Sequence, residues 1–515
     1  MHNSVYFFWY VKVRLYLIFF PIRLQFISRT AVFIALMLMT GCAVGPNFQR
    51  PTTPNVDRYT SQPLRAQTES VEIKGGEVQR FVQDMDIPGQ WWTLFHSKPL
   101  NDLIEQAFKA NPDLESAQAA LRVAWENVYA QRGAFFPSVE ADLNTTRQTI
   151  SNELSSPLAN GSNIFSLHTA QVAVSYTPDV LGGTRRQMES LKAQADSQHF
   201  QLEATYLTLT SNVVAAAVQE AALRGQIAAT KRIIDIQSQS LELLHRQYEF
   251  GQIASGDVAA QEAALAQVQA TLPPLEKQLA QQRDLLARLV GRFPSETLVG
   301  QFELSSLQLP QELPVSLPSK LVTQRPDIRS AEEQLHSASA AIGVSIANRL
   351  PNITLSANAG SSSTAIGQLF NSGTGFWTLA ANLTQPIFQG GTLLHRQRAA
   401  EAAYDQAAAQ YRSIVLTAFQ NVADVLHAIQ SDADALKAAV AAERAAAKSL
   451  AIASTQLELG QISYLELLNA EQTYQQAMIT LVQALANRYT DTAALFQSLG
   501  GGWWNRSDIP TGVGG

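Results

Sequence analysis

The 515-residue sequence predicts a mixed α/β membrane protein made of two tandem repeats, with four strands and two pairs of long helices per chain. Three observations carry this expectation. Past residue 42 no stretch approaches the ~20 uninterrupted apolar residues that a helix needs to cross a bilayer, so any crossing must use strands. Three ordered landmarks recur at a spacing of roughly 210 residues, the mark of an internal repeat. From Thr184 to Tyr248 there is no proline, and about 65 helical residues at ~1.5 Å each span about 100 Å, far more than a globular core needs.

Composition narrows the function. The chain is 46% hydrophobic and 16% charged, with net charge -6 and one cysteine. A pI near 5.8 lacks the basic footprint of a nucleic-acid binder. A single cysteine excludes an intrachain disulfide framework and any multi-thiolate metal site. The mean hydropathy of -0.04 excludes a polytopic helical membrane protein.

At the N-terminus, Arg29 precedes the apolar run Ala31–Met39, which leads into Thr40-Gly41-Cys42, the charged, apolar, small-residue order of an export signal. The segment Leu38-Met39-Thr40-Gly41-Cys42 resembles a bacterial lipobox, with Met39 in place of the usual Leu. Residues 1–41 then read as a signal peptide, and Cys42 as the acylated, palmitate-bearing first residue of a lipid-anchored segment, 42–90. Ala43 is not the Asp associated with inner-membrane retention. The plain alternative is a buried free cysteine near an uncleaved helix.

A repeat organises the rest of the chain. Asn111-Pro112-Asp113-Leu114 recurs as Arg325-Pro326-Asp327-Ile328 and Pro137 as Pro351, both at 214; Pro178 and Gly182-Gly183 recur as Pro386 and Gly390-Gly391 at 208. Gly251, Gln252, Ile253 and Glu262 recur as Gly460, Gln461, Ile462 and Glu471 at 209. The copies are placed at 91–300 and 321–500, joined by a Pro-rich linker, 301–320, and trailed by a C-terminal tail, 501–515.

Each copy reads helix, strand, strand, long helix, turn, long helix. Asn111 caps the first helix, with Pro112 at its first position and Asp113 at the positive end of the dipole. Residues 139–146 alternate, with Val139, Ala141, Leu143 and Thr145 opposing Glu140, Asp142, Asn144 and Thr146. A second alternation puts Ala170, Val172, Val174 and Tyr176 on one face. In the second copy Ile353, Leu355, Ala357 and Ala359 oppose Thr354, Ser356 and Asn358, and Trp377, Leu379, Ala381 and Leu383 oppose Thr378, Ala380, Asn382 and Thr384. Along the long helices Ile234, Leu241, Leu244, Tyr248, Leu265, Val268, Leu272, Leu275, Leu279, Leu286 and Leu289 trace a coiled-coil seam, and Leu467, Tyr474 and Leu481 recur every seven. Pro273-Pro274 should kink the return helix. Gly251 and Gly460 supply the positive φ of two tight turns at the hairpin tips.

Four strands cannot satisfy their own edges in lipid, and a closed barrel needs about eight or more. The chain must pool strands with other copies. Two copies give a side-chain-filled barrel, three give twelve strands and a lumen, and the hydrophilic strand faces favour three.

The segment Gln90–Leu114, the duplicated Pro-Asp helix starts, the Gly-Gly strand-to-helix passages and the paired tip motifs resemble the TolC-like outer-membrane efflux family. With the lipobox and Gly45-Pro46-Asn47-Phe48-Gln49-Arg50-Pro51, the chain is similar to the lipoprotein branch of that family, the NodT-type outer-membrane factors of tripartite pumps. The resemblance covers about residues 42–500. It implies a homotrimer with a twelve-stranded outer-membrane barrel continuous with a long α-helical periplasmic barrel. It further implies docking to a periplasmic adaptor (membrane fusion) protein and to an inner-membrane pump of resistance-nodulation-division or major-facilitator type, with passive conduction of drugs or other small toxic compounds. By the same resemblance Glu466 and Asn469 stand where the family closes its periplasmic mouth, one carboxylate kept and one replaced by an amide, and Asp257 is the equivalent in the first copy. The plain reading of Glu466 is a solvated glutamate near a turn. Gly251, Gln252, Ile253, Gly460, Gln461, Ile462 and Tyr464 are candidate adaptor contacts, with placement in a solvated loop as the alternative.

No cofactor, metal or catalysis is expected. The eight histidines form no HExxH pattern, and there is no GxSxG motif or phosphate loop. Trp91-Trp92 and Trp503-Trp504 read as packing aromatics where the termini meet or at a membrane interface, against a ligand platform. Two rivals to the efflux duct are a duct for protein secretion and a lipid-anchored periplasmic coiled-coil scaffold with no channel.

Overall fold

A computed structural model describes residues 43–151, 153, 163–296 and 300–506. The signal segment and Cys42 lie outside the described residues. The chain begins with β1 (Arg80–Gln83), α1 (Lys98–Ala110), α2 (Pro112–Arg132), β2 (Ser138–Thr149), β3 (Ile164–Tyr176), α3 (Gly183–Glu249) and α4 (Ser255–Leu289). It continues with β4 (Glu312–Val315), α5 (Pro318–Gln324), α6 (Pro326–Ala347), β5 (Asn352–Ser363), β6 (Gly375–Thr384), α7 (Thr392–Glu458) and α8 (Tyr464–Ser498).

Local chemistry sets the helix starts. The Asn111 side chain accepts from the backbone N–H groups of Asp113 and Leu114 at 2.9 and 3.1 Å, and its amide donates to the Leu289 carbonyl at the end of α4. Arg325 takes the same place before α6 without capping it. Its guanidinium pairs with Asp327 at 2.6 Å and donates to the Ser498 carbonyl at the end of α8. Different residue types thus tie each short helix to the foot of its return helix. At the other end, α3 and α7 are each 67 residues long and start from glycine caps with positive φ, Gly182 at 80° and Gly391 at 85°. Those caps are 209 residues apart, so Gly182 matches Gly391 and the spacing of 208 assigned to this passage is one short. The cap position decides it, because Gly182 and Gly391 each stand immediately before the first helical residue, whereas a Gly-Gly pair looks the same in either alignment.

Helix α4 runs without a break through Pro273-Pro274. The carbonyls that lose their donors belong to Gln269 and Ala270, which are exposed, so water can satisfy them. Of the seam, Leu244, Val268, Leu286 and Leu289 are buried, whereas Tyr248 is exposed near the tip.

The main core lies midway along the molecule, where the ends of α4 and α8 meet the middles of α3 and α7. Trp91 stacks on Phe496 at 5.3 Å, and Trp92 meets Phe108 edge-on. Trp503 donates to the Gln324 carbonyl at 2.6 Å and Trp504 to Asp86 at 3.0 Å, so the paired tryptophans are packing groups where N- and C-terminal segments meet. The segment 301–320 is folded into this region: Phe302, Leu307, Leu309 and Leu313 are buried, and β4 pairs in parallel with β1.

Residues 43–76 form a strap laid along the outside of the helices. Val44 bonds the Leu181 carbonyl at 3.1 Å, and Arg186 reaches the carbonyls of Val44 and Gly45 and the Asn47 side chain. Further down, Arg65 grips Asp434 with two bonds of 3.1 and 2.6 Å, and Lys437 binds Glu69 at 2.9 Å. The fully buried Arg488 of α8 anchors the returning turn through Thr68, Gln79 and the carbonyls of Gly75 and Glu77. Replacing Arg488 with Leu orphans those acceptors, which costs about 1–3 kcal/mol for each group left without a partner. We expect a lower thermal midpoint and faster protease cleavage within residues 60–80. Unchanged cleavage there would show that the strap is held by other contacts.

Candidate functional site

The two hairpins form one antiparallel sheet in the order β2-β3-β5-β6. Strands of 10 to 13 residues are long enough for a tilted crossing of the hydrocarbon layer. Register decides the character of each face. Val139 pairs with Val174, which pairs with Ala357, which pairs with Leu379; one row over, Ala141, Val172, Ala359 and Trp377 line up. Directly paired residues share a face, so all four apolar stripes fall on one side. On the other side Glu140, Ala173, Asn358 and Thr378 form one row and Asp142, Gln171, Gly360 and Phe376 the next. Val139, Leu143, Trp377, Leu379 and Leu383 are all exposed, Trp377 at 74%. The outer edges, β2 and β6, have no strand partner among the described residues.

At the opposite end of the molecule, two turns of the same construction close the helical hairpins. Beyond α3, Gly251 donates to the Tyr248 carbonyl at 2.8 Å and Gln252 to Gln247 at 2.9 Å; beyond α7, Gly460 donates to Leu457 and Gln461 to Gln456, both at 2.9 Å. This is the paired closure of a Schellman motif. Gly251 and Gly460 both have φ of 70°, with open space where a Cβ would stand, so backbone conformation alone calls for glycine. Gln252 and Gln461 are exposed, whereas Ile253 and Ile462 turn inward against the core beneath the tip. The turns also present Phe250, Leu459 and Leu465 to solvent, apolar tip residues outside the identical positions of the duplicated motif.

Glu466 and Asn469 are exposed one turn apart in the first two turns of α8, and Asp257 is half-buried at the start of α4. Tyr464 differs from its expected surface placement: it is 6% exposed, and its hydroxyl donates to Gln261. A buried polar cluster explains why. Gln261 of α4 donates to the Gln237 carbonyl of α3 at 2.9 Å, and Ser240 of α3 donates to the Glu471 carboxylate of α8 at 2.6 Å. Burial pushes the Glu471 carboxyl above its ordinary range, while Ser240, Gln261 and Gln237 favour its charged form and oppose the rise. The cluster ties the first hairpin to the second just below the tips. No cluster of three or more metal-ligating side chains exists among the described residues.

Comparison with known proteins fits this geometry. Residues 103–292 and 317–501 match the sequence profile described as "Outer membrane efflux protein". The chain belongs to the outer membrane efflux protein family. It is 28% identical over 481 residues to the toluene efflux pump outer membrane protein TtgC of Pseudomonas putida, a match covering 93% of this chain and 96% of that protein. It is 26% identical to the cation efflux system protein CusC of Escherichia coli, covering 92% and 98% of the two chains. The solved outer-membrane channel OprN superposes with a TM-score of 0.80 at 25% identity, covering 90% of this chain and all of that one. This member of the family is therefore an outer-membrane efflux protein, with a β part in the membrane and helices that extend into the periplasm.

The tip cluster has a pH signature. A carboxyl whose folded pKa is raised contributes full stability below the unfolded value and loses it as pH rises through the folded one, because the folded state holds the proton longer. Tip amides in 455–475 should therefore be better protected from hydrogen exchange at pH 4.5 than at pH 7.5, after correction for intrinsic rates. Glu471→Gln should flatten that dependence, and a variant that keeps the slope of the parent would exclude Glu471 as its source. Gly460→Ala should weaken protection at the tip by about 1 kcal/mol, the cost of the left-handed conformation.

Proposed function

We propose that three copies of this chain form a passive exit duct for small toxic compounds, and the observation that carries the reading is the sheet. It has one apolar face, one hydroxyl-, amide- and carboxylate-bearing face, and two open edges. In lipid each unpaired edge group costs several kcal/mol, so the edge of β6 pairs with β2 of the next copy until the sheet closes. Twelve strands enclose a watery bore lined by the polar face, and the apolar face meets lipid.

Two tandem copies, 91–300 and 321–500 joined by 301–320, give each subunit its four strands and two helical hairpins, with 501–515 as the tail. Residues 1–41 direct export, and Cys42 carries the lipid that anchors 42–90. In support, the next residue, Ala43, sits against Gly182 where the sheet meets the helices, the level at which an acyl chain would enter the membrane. No catalytic step belongs to this chain; the energy comes from an inner-membrane pump of resistance-nodulation-division or major-facilitator type, through a periplasmic adaptor protein.

The adaptor meets the tip turns, Gly251, Gln252 and Ile253 with Gly460, Gln461 and Ile462. Tyr464 supports those turns from beneath. Glu466, Asn469 and Asp257 line the periplasmic mouth, where three Glu466 carboxylates around one axis attract cations and repel one another.

Purified protein in planar bilayers should show discrete single-channel conductance, and its absence overturns the duct in favour of an anchored scaffold. Glu466→Gln should reduce cation preference about twofold or more; unchanged selectivity removes Glu466 from the mouth. Deleting the gene should raise sensitivity to toxic small compounds at unchanged levels of the inner-membrane pump.

A further inference from the structure

The apolar face of the sheet has a definite height. Its lowest row pairs Ile353 with Leu383, at the foot where the strands join the helices. Above it come Tyr176 with Leu355 and Ala381, then the rows of Val139 and Ala141, and then Leu143 with Ala170 and Ser361. From Ile353 to Ser361 the chain climbs about 27 Å along the strand, at ~3.4 Å per residue. At a tilt of about 40° this makes a band about 20 Å tall, close to the ~25 Å band of a transmembrane barrel.

The next two rows on the same face are of another kind. Thr145 pairs with His168 and His168 with Ser363; one row further out, Arg147 pairs with Ser166. Thr145 Oγ1 and His168 Nδ1 are 3.0 Å apart, which ties the imidazole to the neighbouring strand. Arg147 is exposed, about 10 Å above the Leu143 row by the same rise and tilt. It is the only arginine or lysine in the four strands of this sheet, and His168 is their only histidine. Both acids of those strands, Glu140 and Asp142, stand on the opposite face. An arginine on the lipid side of a barrel is costly at the midplane and tolerated at the interface, where it meets anionic headgroups.

We propose that Arg147 and His168, with the hydroxyls of Thr145, Ser166 and Ser363, bind the phosphate of a phosphorylated lipid in the outer leaflet of the outer membrane. Arg147 and His168 are diagonal neighbours across β2 and β3, about 7–8 Å apart at Cα, so both side chains reach one phosphate between them. The planar guanidinium offers two parallel N–H donors to two phosphate oxygens. When Thr145 donates to Nδ1 of His168, the Nε2–H is left to donate to a third. The acyl chains of such a lipid lie against the apolar rows directly below, from Leu143 and Trp377 downward, so headgroup site and chain site are continuous. On the other face at the same height Gln148 pairs with Phe165 and no cation stands there. The inference rests on the reading of the apolar face as the lipid face and adds a specific ligand to it.

The experiment is a titration of the full chain in mild detergent with lipid A, a bisphosphorylated glycolipid, read as bound adducts by native mass spectrometry, with single-channel conductance recorded from the same preparation. The parent should bind lipid A more tightly than its dephosphorylated form. Arg147→Gln should weaken binding about fivefold or more, and Arg147→Lys, which keeps the charge without the fork, should fall between. Gln148→Glu makes the same change in net charge one residue away on the other face and should bind as the parent does. Equal binding of the two lipid forms overturns phosphate recognition. Parent-like binding by Arg147→Gln, or an equal loss in Gln148→Glu, overturns the site, and displacement of the lipid by excess inorganic phosphate replaces it with a free-anion site. Protein that conducts but does not bind lipid A overturns the patch and leaves the duct standing; protein without conductance overturns the duct itself.

Discussion

The hydrogen-bond demand of a β-sheet edge in lipid governs this structure. Every backbone N–H and C=O inside the hydrocarbon layer must find a partner, and no water is there to provide one. The chain meets that demand within its sheet at three strand junctions and leaves the edges of β2 and β6 without a strand partner among the described residues. The same demand accounts for the pairing of β3 with β5 across the two hairpins, the separation of apolar and polar faces, and the need for helices that continue the wall below the membrane. The strap, the small β1–β4 sheet and the aromatic belt brace that wall where the two copies of the unit meet.

Much of this was legible in the residues, because strand faces and helix seams leave periodic traces. Alternation from Val139 to Thr146 and from Ala170 to Tyr176 placed both strands of the first hairpin on the right faces. It understated their lengths. At the outer ends of the strands, Arg147 to Thr149 are all polar and Ile164 to Thr169 do not alternate strictly, so periodicity fades while the hydrogen-bond ladder continues. The pairing of β3 with β5 joins residues nearly two hundred positions apart and leaves no local signature. The proline-rich segment 301–320 read as a tether because proline punctuates loops, yet Leu307 ahead of the prolines and Leu313 between Pro310 and Pro314 are core residues.

The tip shows a different limit. The glycines announced themselves through duplication, since both copies need the same left-handed turn. The buried cluster did not, because it has no duplicate: Tyr464 and Glu471 in the second copy correspond to Ser255 and Glu262 in the first, which stay on the surface. Comparison between the copies marks Glu471 only as a repeated landmark and leaves Tyr464, which is matched by a serine in the other copy, without a signal. Only the packing of α8 on α3 and α4 shows that Tyr464, Gln261, Ser240 and Glu471 meet, and that one hairpin braces the other with a carboxyl held out of water.

Helices α3 and α7 have the same length and end in closures of the same geometry. In a ring of three chains this yields six blunt knuckles at one height instead of three tall and three short. A collar of threefold or sixfold order can therefore sit flush on the rim without a symmetry mismatch. What distinguishes alternate knuckles is side-chain chemistry, Phe250 on one and Leu459 on the next, and such a difference lets a sixfold partner grip every position while still sensing which kind it holds.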